Sequence, residues 1–111
     1  MSHVRHHCIV VTGGKEIKEV RKKAIELGLI VTNCVKSHTN GYLTFFVCPD
    51  GSGEGWATSN EFDAKRDAFK LYLDSCRCTF AEVVYGDDYG LRPDVTDYFS
   101  QGDQYDYDRL G

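Results

Sequence analysis

Two helix-period stripes set among four short apolar runs predict an α+β domain. The elements come in the order strand, helix, strand, strand, helix, strand. The first and third runs, Ile9-Val10-Val11 and Tyr42 to Val47, are apolar on both faces, as befits strands in the middle of a sheet. Each helix carries one apolar stripe, enough to cover one face of that sheet. Together these features describe the ferredoxin-like βαββαβ arrangement, a four-stranded antiparallel sheet with both helices on one face. It is expected over residues 1–85, followed by an acidic C-terminal extension over 86–111.

Val4 to Thr12 is the first expected strand, and Gly13-Gly14 breaks it. From Lys15 to Leu27, Ile17, Val20, Ala24 and Leu27 recur at three- and four-residue steps, which makes one buried helical stripe. Lys18, Arg21, Lys22 and Lys23 lie off that stripe among Glu16, Glu19 and Glu26, the pattern of a solvated face. Gly28 fits the left-handed residue that follows a helix C-terminus. Leu29 to Lys36 is the second strand. Asn40-Gly41, the strongest two-residue turn signal in the chain, folds it into the third, which stops at Pro49-Asp50-Gly51. Thr58 and Glu61 stand three apart, as in a capping box that starts the second helix. Phe62, Phe69, Tyr72, Leu73 and Cys76 supply its buried stripe, broadened by Ala64, Ala68 and Leu71. Thr79 to Tyr85 is the fourth strand. Leu91 to Phe99 is expected to pack back as an edge strand or a short turn of helix, and the last ten residues to form a loose tail.

Composition bounds the function. The 111 residues are enough for one domain with one core, and no apolar run approaches the roughly 18 residues of a membrane span. The N-terminal Met1-Ser2-His3-Val4-Arg5-His6-His7 lacks the apolar centre of a signal peptide, and five cysteines are an odd number. Reduced core thiols and a cytoplasmic location are therefore expected. Charge is segregated. Residues 86–111 hold seven Asp against Arg92 and Arg109, a net −5, while the whole chain carries −4, leaving residues 1–85 at +1. A nearly neutral body gives no general electrostatic footprint for nucleic acid.

No pattern of reactive residues is complete. His3, His6, His7 and Cys8 crowd the first strand, and Cys34 and His38 stand four apart, yet there is no CxxC pair and Cys76-x-Cys78 is too tight for a metal knuckle. Core cysteines and sheet-face histidines are the simpler reading, with no metal or other cofactor. His6 or His7 as a general base lacks a nucleophile partner, and the repeated His-x-Thr/Ser motif of two-histidine phosphoesterases is missing, so no catalytic residue is assigned and the chain is expected not to be an enzyme. Gly51-Ser52-Gly53-Glu54-Gly55 lacks the lysine of a phosphate loop, and Glu54 would repel phosphate. Trp56 reads as a packing residue over the helix start or, more sharply, an interface anchor.

A single helix layer leaves one sheet face bare. Tyr42, Thr44 and Phe46 alternate with Leu43, Phe45 and Val47, so either choice presents an aromatic outward. Asn40-Gly41-Tyr42-Leu43-Thr44-Phe45-Phe46-Val47 faintly echoes the strand-three signature of the RNA-recognition module, but Asn40 replaces its basic residue and Leu43-Thr44 its small glycine. Direct RNA or nucleotide binding is thus the second reading. The acidic tail is a solubilising end or, alternatively, a mimic of nucleic-acid charge able to enter a basic groove.

His6-His7-x-Ile9-Val10-Val11-Thr12, Asn40-Gly41-Tyr42, Phe45-Phe46-Val47, Pro49-Asp50-Gly51-Ser52, Gly55-Trp56 and Tyr85-Gly86-Asp87-Asp88 resemble small single-domain proteins of tailed bacteriophages and their prophages. The resemblance spans residues 6–88 and carries no site residues with it. It implies a setting in which such proteins bind and block a host machine, CRISPR effectors and restriction systems being the obvious targets. The expected function is a non-enzymatic inhibitor acting by contact with a host protein or ribonucleoprotein complex. Its partner-binding residues would be Tyr42, Phe46 and Trp56 on the body, with Asp87, Asp88, Tyr89, Asp94, Asp97, Tyr98, Tyr105 and Tyr107 in the extension.

Overall fold

A computed structural model describes residues 4–53, 55–86 and 94–99, with Val95 the residue of the last segment whose side chain is described. The elements are β1 (Arg5–Gly13), α1 (Ile17–Glu26), β2 (Val35–Lys36), β3 (Leu43–Val47), α2 (Ala57–Leu73), β4 (Cys78–Gly86) and β5 (Asp94–Phe99). They make one antiparallel sheet in the order β2-β3-β1-β4-β5. The order of its first four strands is compatible with a ferredoxin-like fold.

The two strands expected at the centre lie there. β1 pairs with β3 from Ile9↔Val47 to Gly13↔Leu43, and with β4 from Arg5↔Gly86 to Gly13↔Cys78. One face of the sheet is covered. Ile9, Val11, Phe45, Val47 and Phe80 point to Ile17, Val20 and Ala24 of α1 and to Phe69 and Leu73 of α2, and all are buried. The Phe45 and Phe69 rings meet tilted at 6.5 Å between centroids. Each buried Val, Ile, Leu or Phe in this set stabilises the fold by about 1.5–3 kcal/mol, so the helix layer is held mainly by this contact. Gly28, with φ of +87°, ends α1 in the left-handed conformation.

Several expected elements are corrected. The second strand does not run unbroken from Leu29: only Val35 and Lys36 join the ladder, with an isolated bridge Val31↔Val47 before them. Thr32 accounts for the interruption. Its carbonyl accepts Arg21 Nε at 2.7 Å, and its hydroxyl, in place of a carbonyl, accepts the Phe46 amide at 2.9 Å. The turn at Asn40-Gly41 is present, with Gly41 at φ +74°, but it belongs to a longer loop closed by the Ser37 amide on the Tyr42 carbonyl.

The capping box is not used either. α2 starts one residue before Thr58, with Trp56 at the N-cap and no side-chain cap. Ala64, Ala68 and Leu71 are exposed, Leu71 at 73%, while Arg66 is buried on the stripe with Ser59, Phe69 and Leu73. Phe62 and Tyr72 pack only partly against the core. Of the two forms expected for Leu91 to Phe99, a strand is found over Asp94–Phe99, paired to β4 from Thr79↔Phe99 to Val84↔Asp94. The extension thus adds a fifth strand to the sheet.

Candidate functional site

The face opposite the helices is the candidate site, and strand alternation assigns its residues. β1 places His6, Cys8, Val10 and Thr12 there, β3 places Thr44 and Phe46, and β4 places Thr79, Ala81, Val83 and Tyr85. Val35 of β2 stands opposite Thr44, and Val95 of β5 opposite Val83. Ile30 and Thr32 flank Val31, which faces the core, so they fall on the open side too.

Large apolar side chains remain exposed across this surface: Phe46 at 45%, Tyr42 at 50% and Tyr85 at 42%, together with Ile30, Val35 and Val95. Local contacts order it. Thr12 and Thr44 join hydroxyls across the strands at 2.8 Å, and the His6 and Tyr85 rings lie 5.0 Å apart. β1, β2, β3 and β4 contribute no Lys, Arg, Asp or Glu to this face; the only ionisable side chains among their residues here are His6, Cys8 and Tyr85. That is an unusual composition for solvent-facing strands, which normally alternate apolar with charged or polar residues.

Two clusters of paired charges lie on the helix side of the sheet. Asp50 accepts Arg66 at 3.1 Å and also both the amide and the hydroxyl of Ser52, with Arg66 and Asp50 side chains only 3% and 5% exposed. Burial works to raise the Asp50 carboxyl, but the Ser52 and Arg66 hydrogen bonds overcome it and hold it below its ordinary value. The cluster fastens the loop after β3 to α2.

A second cluster joins α2 to the sheet: Glu82 of β4 lies 3.7 Å from His7 Nδ1 and 2.9 Å from Lys70 Nζ. The His7 hydrogen bond, followed by that of Lys70, lowers the Glu82 carboxyl to about 2 against the opposing effect of burial. An imidazole held by a carboxylate is the start of a base-and-orienter pair, but Cys8, the nearest nucleophile in sequence, projects from the opposite face of β1. Among the described residues no three His, Cys, Asp or Glu side chains gather as a metal site.

Phe46 lies on the open face, and Tyr42, four residues earlier in the same alternation and half exposed, falls on the same side. Trp56, 51% exposed, stands instead at the entry to α2. Asp94, Asp97 and Tyr98 are placed by their backbone in β5. Asp87, Asp88, Tyr89, Tyr105 and Tyr107 lie outside the described residues. Sequence reasoning missed Ile30, Val35, Tyr85, Cys8 and Cys48 as members of the same surface. The alternation from Phe46 across the register would have found them, once β1 was placed between β3 and β4.

No protein-family model matches this chain, and no curated protein sequence matches it. No helix among the described residues is long and apolar enough to cross a membrane.

Proposed function

We propose that the chain is a non-enzymatic binding module that docks its open sheet face on the apolar surface of a partner protein. The observation that carries this reading is a face bearing Phe46, Tyr42, Tyr85, Ile30 and Val35 half-exposed, with no charged side chain from β1 to β4. Aromatic anchors with charge depleted from the centre are what a protein interface core requires. The likeness to small phage proteins supports the narrower proposal that the partner belongs to a host defence or nucleic-acid-handling complex, which the chain would inhibit in the cytoplasm of a bacterial host.

Direct RNA binding is the weaker reading, because stacking aromatics need cations beside them to meet the phosphates and this face supplies none from its four strands.

The test is a quantitative pull-down from bacterial lysate expressing defence complexes, with the wild-type chain and Phe46→Asp side by side. Phe46 is already half exposed, so the substitution should leave the fold intact while placing a charge in the centre of the face. A partner complex retained by the wild type, inhibited by it and released by Phe46→Asp is the expected result. A partner held equally by both removes the open face from the function. Capture of RNA, lost steeply with added salt, would move the chain to the second reading.

A further inference from the structure

Cys8 and Cys48 occupy a particular place on the sheet. The β1–β3 register ends at Ile9↔Val47; carried one step outward it sets Cys8 opposite Cys48, and beyond it, shifted by one residue, Val4 bridges Gly53. The backbone directions fix the class of this pair. The Cys48 amide donates to the Ile30 carbonyl at 2.7 Å, and the Phe46 carbonyl accepts the Thr32 amide at 3.0 Å. The backbone groups of Phe46 and Cys48 therefore turn away from β1, and both Val10↔Phe46 and Cys8/Cys48 are non-hydrogen-bonded pairs of the antiparallel ladder. In such pairs the Cα atoms stand about 4.5 Å apart and the side chains approach more closely than in the alternate class. That separation falls inside the range a disulfide spans, about 4.4–6.8 Å. Both side chains project to the open face, and both cysteines are half-buried and reduced. The remaining cysteines sit elsewhere: Cys34 precedes β2, Cys76 follows α2, and Cys78 faces the core.

We propose that Cys8 and Cys48 form a redox-active cross-strand dithiol that closes to a disulfide when the chain meets a low-molecular-weight disulfide such as oxidised glutathione. One thiolate of the pair attacks a glutathione sulfur, breaking its S–S bond and releasing one glutathione. The second thiolate then attacks the mixed disulfide, forming the Cys8–Cys48 bond and releasing the other glutathione. The two protons lost by the cysteines end on the two released glutathione thiols. Burial, and then the neighbouring Cys48, push the Cys8 thiol up, which suits Cys8 to the second, resolving step. Closure ties β1 to β3 beside Val10, Phe46 and Val83, so the open face responds to redox state whether or not it docks a partner.

The test uses the full chain, purified reduced and equilibrated with glutathione mixtures of graded potential, then alkylated and mapped by mass spectrometry. The expected product is one intramolecular disulfide linking the peptides that hold Cys8 and Cys48, formed in preference to every other pairing and reversed by reduced glutathione. Its thermal midpoint should exceed that of the reduced chain. Cys8→Ala and Cys48→Ala should each abolish the bridge, whereas Cys34→Ala leaves it in place. A bridge mapped to other cysteines, glutathionylation that never resolves, or no oxidation at potentials that oxidise an unstructured dithiol peptide would each overturn the proposal. Because the mapping is done on the wild-type chain, misfolding of a variant cannot decide it.

Discussion

Arg66 shows how one side chain can decide a loop's position. A guanidinium 3% exposed is tolerable only because Asp50 neutralises it and Asp63 accepts its second nitrogen. Arg66→Ala would leave the Asp50 carboxylate buried without its cation, so it should cost about 3–5 kcal/mol of unfolding free energy. Lys22→Ala, which removes an exposed ion pair with Glu19 on α1, should stay within about 0.5 kcal/mol. Urea denaturation of the two variants checks the contrast, and equal midpoints would contradict it. A second residue-scale prediction concerns Gly86. A Cβ there would strike the Val4 carbonyl oxygen and crowd Arg5 Cα, both backbone atoms that cannot swing aside. Gly86→Ala should therefore force β1 and β4 apart at that end and raise amide exchange at Arg5 and His6, while leaving the distant Gly13–Cys78 end protected. Uniform protection along β1 would show that the strands absorb the methyl group without separating.

At the scale of elements, α2 is attached to the sheet both by its apolar stripe and by Lys70 reaching Glu82. Glu82 is held by His7 first and then by Lys70, and this makes the second attachment pH-dependent with a definite sign. The Glu82 carboxyl lies at about 2 in the folded chain against an ordinary 4.5. The unfolded chain therefore binds its proton first as acid is added. The stability this difference contributes is fully present above about pH 4.5 and is lost as pH falls toward 2. Glu82→Gln should thus be less stable than the wild type at neutral pH, with the gap narrowing across that window; a gap constant down to pH 2 would mean the carboxylate is not specifically held. The elements also show what was legible in advance. The α1 stripe, the Gly28 stop and the two apolar central strands could be read because local periodicity and tertiary demand agree in them. The shortened β2 could not, since it depends on Arg21 reaching across from α1 to the Thr32 carbonyl, a contact between distant positions. Nor could the burial of Arg66, because its partner lies 16 residues earlier in a loop. A charged residue in step with Phe69 and Leu73 on one stripe was the available signal. The α2 start shifted because the extended Trp56 already takes the N-cap position ahead of Thr58.

At the scale of the whole molecule, the apolar face of β1 to β4 and the acidic C-terminal sequence should leave different marks on binding. The open face offers aromatics and branched side chains without cations or carboxylates from its four main strands, whereas the acidity of the sequence is concentrated in residues 86–111. Docking through the face removes apolar area from water, so association should show a negative heat-capacity change and an affinity nearly unchanged between about 50 and 200 mM salt. Docking of the acidic segment into a basic groove would instead weaken steeply over that range, because each ion pair formed displaces bound counterions. Removing residues 100–111 takes away three of the seven Asp of the acidic segment without taking β5 from the sheet. With a partner complex in hand, calorimetry on the full and shortened chains should give the same heat-capacity change and the same shallow salt dependence if the sheet face supplies the affinity. A steep salt dependence lost with residues 100–111 would assign the contact to the carboxylates of Asp103, Asp106 and Asp108, making charge mimicry the mode of binding and leaving the aromatic face without its proposed part.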